Sequence, residues 1–397
     1  MDKETFIKNY AVERKNTQSL KWDLLEERFG NADLLPLWVA DAEFKTPDSV
    51  RQALHDKIDH GVFGYTFVSD DYYEAFFNWM ADHFDLHLEK DWIRFTTGVV
   101  QALYYFVYAY TEPGDSILIQ TPVYYPFHNA ARDTGRRLIT CDLKAVDQHF
   151  EINYAAFEQA IIDAQVKLYI HCSPHNPAGR VWTEEEMDKL FAICAKHDVL
   201  IVSDEIHQDF NFSDRPQIPA LNVAGGKYRD RLVAVNAASK TFNMATLLQS
   251  HVMIPDDKLR AQYDQVVDRL NLTENSMMGL IATEAAYRDG ADWLEGFKAT
   301  IFSNYTYLKD RLAQELPEAK VTDLEGSYLM FIELPFVQDQ LSMKAFIQDR
   351  CGLAVDYGNW FGASFGDYIR LNLATIPENI ETAADHLIKE SRRLLDQ

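Results

Sequence analysis

Four cysteines in 397 residues (Cys141, Cys172, Cys194 and Cys351) lie far apart and form no C-x-x-C pair. That spacing argues against a disulfide framework and a thiolate zinc site, and it points to a reducing, cytoplasmic setting. Cations are also scarce. Against 61 Asp and Glu stand 38 Lys and Arg, giving a formal net charge of -23. Such a body repels the phosphates of nucleic acids and anionic membranes. It does not identify a substrate, because a local site can be positive on a negative body. No apolar run nears the roughly 18 residues of a membrane span. The opening Met1-Asp-Lys-Glu-Thr-Phe-Ile-Lys-Asn-Tyr10 lacks the apolar core of a signal peptide. Low-complexity tracts, internal repeats, glycine-rich nucleotide motifs and basic DNA-reading segments are missing as well.

What is present is globular in composition, 47% hydrophobic and 25% charged. The length exceeds what one core usually serves, so two domains are expected. Residues 1–45 read as an irregular arm that includes Leu35-Pro-Leu-Trp-Val-Ala-Asp41. Residues 46–288 read as a large domain, and 289–397 as a smaller α+β domain. A helix is predicted from Pro47 to about Asp59, with Thr46 as its N-cap. A second spans Asp70 to about Phe84. Gly61-Val-Phe-Gly-Tyr65 between them is a loop.

From Ile93 short apolar strands alternate with helices: Ile93–Thr97, then a helix to Tyr110, then strands at Ser116–Gln120, Arg137–Asp142, Lys167–Cys172 and Val199–Ser203. Thr183-Glu-Glu-Glu186 reads as a capping box opening another helix. This alternation predicts an α/β fold with a mostly parallel, doubly covered sheet. Ligands of such sheets bind beyond the carboxyl ends of the strands, and Tyr124, Asn176, Asp204 and Lys240 should share that rim. Arg288-Asp-Gly290 is a plausible hinge. After it come a long helix (Trp293–Leu316), a strand (Ser327–Leu334), a helix (Ser342–Asp349), strands near Leu353 and at Tyr368–Leu373, and a final helix from Pro377.

Lys240 sits where the apolar run Arg231–Asn236 gives way to Ala237-Ala-Ser-Lys-Thr-Phe-Asn243. Buried lysine is costly, and one at such a place can serve as an amine of lowered pKa that forms a Schiff base. A solvated loop lysine is the plain alternative. Metal binding is not expected: His171 and His175 are four apart but flank a proline turn.

Four motifs occur in order: Ser173-Pro-His-Asn-Pro-Ala-Gly-Arg-Val-Trp182, Ser203-Asp-Glu-Ile-His207, Ser239-Lys-Thr-Phe-Asn243 and Ile369-Arg-Leu-Asn372. Together they resemble the fold type I pyridoxal-phosphate enzymes, and more closely the MalY/PatB branch of cystathionine β-lyases and related carbon–sulfur β-lyases. Leu37-Trp-Val-Ala-Asp41 and Thr283-Glu-Ala-Ala-Tyr287 are similar to that branch too, so the likeness covers roughly residues 20–390.

The resemblance implies a pyridoxal 5'-phosphate cofactor with Lys240 on its aldehyde, Asp204 at its pyridine nitrogen and Asn176 at its ring oxygen, with His207 nearby. Tyr124 would stack on the ring, with Tyr125 as the alternative. The phosphate would sit on the Val99 and Val100 amides, helped by Ser239 and by Tyr65 from a second subunit of a homodimer. Arg370 would clamp the substrate carboxylate, with Trp38, Asn372 and Trp360 around the substrate. Tyr65 or Tyr124 would assist the leaving sulfur. Each position also has a plainer reading: a strand-end acid, an Asn-Pro turn, a core histidine or tyrosine, an arginine in an ion pair. Two departures stand out. Ala237 and Leu248 occupy places where aminotransferases of this fold carry Ser and Arg or Lys. The implied reaction is α,β-elimination of cystathionine or another cysteine S-conjugate. The alternatives are an aminotransferase on the same scaffold and a non-catalytic regulator that keeps the fold.

Overall fold

The computed structural model describes residues 1–338 and 340–396. Its centre is a seven-stranded sheet ordered Ile93–Thr96, Ser250–Met253, Leu232–Asn236, Leu200–Asp204, Val166–Cys172, Ser116–Thr121, Arg137–Asp142. Ser250–Met253 runs antiparallel to both neighbours, and the strands from Leu232–Asn236 onward pair in parallel. Ser116–Thr121 and Leu232–Asn236 are buried along their whole length. Continuous apolar strands of this kind need cover on both faces. On one face Leu103, Phe106 and Val107 of helix Val99–Tyr110 pack with Tyr263 of helix Asp257–Arg269 against Val233 and Val235. On the other, Leu190 and Phe191 of helix Glu184–Lys196 join a cluster that continues through Phe297 and Tyr328 to Met330 and Ile332. That cluster ties the central sheet to a second, antiparallel sheet ordered Lys320–Val321, Leu329–Glu333, Tyr368–Asn372, Asp356–Tyr357.

The capping box at Thr183 is present with both hydrogen bonds made. Its Glu186 also takes Arg180 Nη2 at 2.9 Å, and Arg180 Nε reaches Glu325 at 2.8 Å. The cap therefore also braces the turn that carries Asn176. Thr183→Ala should lower unfolding stability by about 1 kcal/mol, read as a shifted urea midpoint at constant m-value.

Several expectations need correction. The arm is not irregular: it holds helices Lys3–Tyr10, Leu20–Asp23 and Leu25–Phe29, and Leu35–Pro36 pairs in parallel with Leu353–Ala354. Thr46 is not a cap. The helix starts at Asp48, Pro47 holds the cap position in extended conformation, and Thr46 Oγ1 is buried without a partner. The helix expected at Ser342–Asp349 is a wider π-helical turn at Ala345–Arg350. Only Gly290 separates helices Met277–Asp289 and Ala291–Glu315, and it is packed tightly: an added Cβ would lie 2.5 Å from the Phe242 ring. The hairpin of Lys144–Val146 with His149–Glu151 and the short strand Asp356–Tyr357 were not foreseen. Among the described residues no helix is long and apolar enough to cross a membrane.

Candidate active site

The rim at the carboxyl ends of the central strands gathers most of the expected residues. Leu200–Asp204 ends on Asp204, and Leu232–Asn236 feeds the short helix Ala238–Thr241 that bears Lys240. The two side chains sense each other's charge. Burial holds the Lys240 amine down at about 8, and burial pushes the Asp204 carboxyl up to about 7. Each shift has the sign expected when the charged form loses water. Asp204 Oδ1 accepts the Ile206 N–H at 3.1 Å, while Oδ2 has no hydrogen-bond partner among the described residues.

The Lys240 amine is held by the arm. Its Nζ donates to the Ala40 carbonyl at 2.6 Å, and the Tyr328 hydroxyl donates to the same oxygen at 3.0 Å. Asn243, three residues after the lysine, donates to Ala42 O (3.0 Å) and Phe44 O (2.8 Å) and accepts from Ala42 N (3.1 Å). Residues 38–44 thus form a strap across the rim. Its acidic side chains are tied down as well, Asp41 by Arg14 at 2.8 Å and Glu43 by the buried Lys21 at 2.9 Å.

Arg370, in the middle of strand Tyr368–Asn372, is buried. Nη1 donates to Asn176 Oδ1 at 3.0 Å and Nη2 to Trp38 O at 3.1 Å. Nη2 also pairs with Asp356, which lies opposite Arg370 in the strand register. Arg370 Nε is buried and unpartnered. A buried guanidinium donor left without a partner suits a planar anion such as a carboxylate. Asn176 keeps its Nδ2 group without a partner among the described residues, while its carbonyl accepts the Tyr124 N–H at 3.2 Å. The Tyr124 and Tyr125 rings lie 5.0 Å apart. His207 is buried between Ser327 Oγ (3.2 Å) and the Tyr328 ring, and burial, with the Lys240 and Arg370 charges, keeps it neutral.

Helix Val99–Tyr110 opens at the same rim after Gly98, so the Val99 and Val100 amides are first-turn donors with no partner inside the helix. Val99 is buried and Val100 exposed; Ser239 is half-buried. Trp38 and Trp360 border a cavity of about 1160 Å³ beside this cluster.

Two expected residues are placed otherwise. Asn372 cannot face a substrate: its amide donates to Val39 O (2.5 Å) and Asp41 O (2.6 Å), and its Oδ1 accepts the Ala374 N–H. It anchors the strap. Tyr65 is 98% exposed, on a loop that also exposes Val62, Phe63 and Phe67, and within one chain it is not brought to Lys240. Reading the sequence missed Ala40, Asp356 and Tyr328. The apolar run at Leu37–Asp41 was the available signal for the first.

A mostly parallel sheet with a lysine of lowered pKa and a carboxylate on its rim, joined to a small antiparallel sheet bearing a buried arginine, is the fold type I architecture of pyridoxal-phosphate-dependent transferases. The chain belongs to the class I and II aminotransferase family, whose model matches residues 32–387. It is 34% identical to cystathionine β-lyase PatB of Bacillus subtilis over 373 residues, 93% of this chain and 96% of that protein. It is 29% identical to protein MalY of Escherichia coli over 386 residues, covering 96% and 98%. The crystal structure of cystalysin from Treponema denticola, which contains a pyridoxal 5'-phosphate cofactor, superposes with a TM-score of 0.91 at 32% identity, covering 96% of this chain and 98% of that one.

Proposed function

We propose that this protein is a pyridoxal-phosphate-dependent carbon–sulfur β-lyase that splits cystathionine or related cysteine S-conjugates into a thiol, pyruvate and ammonia. The observation that carries this reading is the whole-length likeness to PatB combined with Lys240 and Asp204 on one rim and Arg370 reaching Asn176 from the second sheet.

The residues present fit the cofactor. An amine of lowered pKa, a carboxylate oxygen without a partner, an unpaired Asn176 amide and a free helix N-terminus supply partners for an aldehyde, a ring nitrogen, a ring oxygen and a phosphate in turn. When bound, pyridoxal phosphate supplies an electron sink for the substrate Cα. The rest is done by side chains. Asp204 would keep the proton on the pyridine nitrogen; facing that cation, its carboxyl would ionise more readily than in the empty site. Asn176 and His207 would border the ring oxygen, Tyr124 would cover a ring face, and the Val99 and Val100 amides with Ser239 would hold the phosphate. Arg370 would bind the substrate α-carboxylate with Nε and the edge beside it, its plane fixed by Asn176 and Asp356. Lys240, leaving Ala40, would take the Cα proton on Nζ. Tyr124, or Tyr65, would give a proton to the thiolate that departs from Cβ.

The exposed apolar loop Val62–Phe67 is best explained by a second subunit, which would bring Tyr65 to the phosphate across a homodimer interface. The domain division at about residues 45 and 288 and a cytoplasmic setting complete this reading.

Incubation of the holoenzyme with L-cystathionine alone tests the chemistry. Pyruvate should accumulate with no keto acid added. An absolute requirement for a keto-acid acceptor would instead identify an aminotransferase, which can use the same lysine, aspartate and arginine.

Capture of the cofactor should depend on pH in a defined direction. The amine attacks the aldehyde only when neutral, and burial holds it at about 8. The rate at which apo-protein gains the imine absorbance should therefore rise about tenfold per pH unit below 8 and level off above it. A flat profile between pH 6 and 8 would contradict the lowered pKa.

A further inference from the structure

The cavity beside the rim is lined by two cations, Arg28 and Lys344, against one described carboxylate, Glu27. Arg28 lies on helix Leu25–Phe29, whose Leu25 and Phe29 are buried one turn apart and whose end is closed by Gly30 in left-handed conformation (φ 77°). Gln348 fixes that end by donating to Phe29 O at 3.0 Å. Arg28 is thereby turned outward, and its guanidinium carbon lies 5.7 Å from the Trp38 ring centre and 5.8 Å from that of Trp360. Among the described residues it makes no ion pair and no side-chain hydrogen bond. Two indole faces hold a guanidinium by cation–π attraction while leaving its N–H edge free.

The position of this charge indicates what it is for. Trp38 offers its carbonyl to Arg370 and its ring to Arg28, so one residue separates the proposed α-carboxylate clamp from the second arginine. Both Trp38 and Arg28 line the cavity of about 1160 Å³, which has room for a substituent of several atoms. On a chain of net charge -23, an unpaired arginine at a cavity is a local attractor for anions. Glu27, next in the chain, lines the same cavity and is the only acid among its described lining residues.

We propose that Arg28 binds a carboxylate at the far end of the sulfur substituent, so that the preferred substrates are cysteine S-conjugates whose departing thiol is itself an acid. This inference rests on the β-lyase reading for the identity of the leaving group but concerns binding, which can be measured separately from bond cleavage.

The test uses the holoenzyme and two near-isosteric ligands, S-(2-carboxyethyl)-L-cysteine and S-propyl-L-cysteine. Half-saturation is read from the change in cofactor absorbance on mixing, and pyruvate is assayed in the same samples. In the wild type the carboxylate ligand should bind more tightly. Arg28→Gln should weaken it by about tenfold or more, the usual effect of losing a charge-assisted hydrogen bond, and leave the propyl ligand within twofold. Arg28→Lys should recover part of the loss. Equal weakening of both ligands would mean that Arg28 only packs the tryptophans, and no change in either would mean that it faces solvent; both results overturn the proposal. Discrimination between the ligands without any pyruvate would sustain Arg28 while refuting the lyase reading.

Discussion

Lys240→Ala should abolish the imine absorbance of the holoenzyme and lower pyruvate formation from cystathionine by roughly 10³-fold or more, since in the proposed mechanism one side chain both anchors the cofactor and moves the Cα proton. The fold should survive. Lys240 is half-buried, and among the described residues its amine hydrogen-bonds only Ala40 O, an oxygen that Tyr328 also serves. Removing a buried amine held at about 8 removes a desolvated group whose charging is unfavourable, so thermal stability of the apo-protein should hold or rise at neutral pH. An unchanged melting temperature with lost absorbance and lost activity is the expected pattern. Retained turnover in this variant would remove lysine from the chemistry altogether.

Arg370→Leu should be costly in two ways at once. The variant loses the planar donor edge proposed for the substrate carboxylate, which should raise KM by roughly 100-fold. It also leaves Asp356, buried beneath it, without its cation. Stranding one member of a buried ion pair costs about 3–5 kcal/mol, so the variant should melt well below the wild type. The double variant Arg370→Leu with Asp356→Asn separates the two effects. It should regain much of the stability, measured by denaturant unfolding, while KM stays high. If both variants melted alike, Asp356 would not depend on Arg370 for its place in the core.

The core of this site could be read from the chain because its key residues are fixed locally. Asp204 and Lys240 each follow a short, continuously apolar strand, and Asn176 sits in a proline-flanked turn. Strand ends and turns are properties of a few consecutive residues. Arg370 was singled out on another ground, its Ile369-Arg-Leu-Asn372 context and the family resemblance that it carries, with an ion pair as the plainer reading. Its partner was not, because nothing in Leu353-Ala-Val-Asp-Tyr357 reveals that Asp356 pairs in register with Arg370. The strap was hidden for the same cause. Leu37–Asp41 was noticed as an apolar stretch, yet the bonds that tie its backbone to the site come from Lys240, Arg370 and Asn372, 200 or more positions away. Asn372 was misassigned because a polar side chain on a strand beside a clamp could serve substrate or backbone, and only the arm's path decides. Thr46 failed as a cap because Pro47 displaced the helix start by one residue.

The bond from Arg370 to the Trp38 carbonyl joins positions 332 apart in the chain. Trp38 is therefore made long before the strand that orders it, and its carbonyl stays without this partner until Tyr368–Asn372 has been synthesised. A chain interrupted between the two carries Lys240 and Asp204 but lacks both Arg370 and the Asn372 amide that fixes Val39 and Asp41.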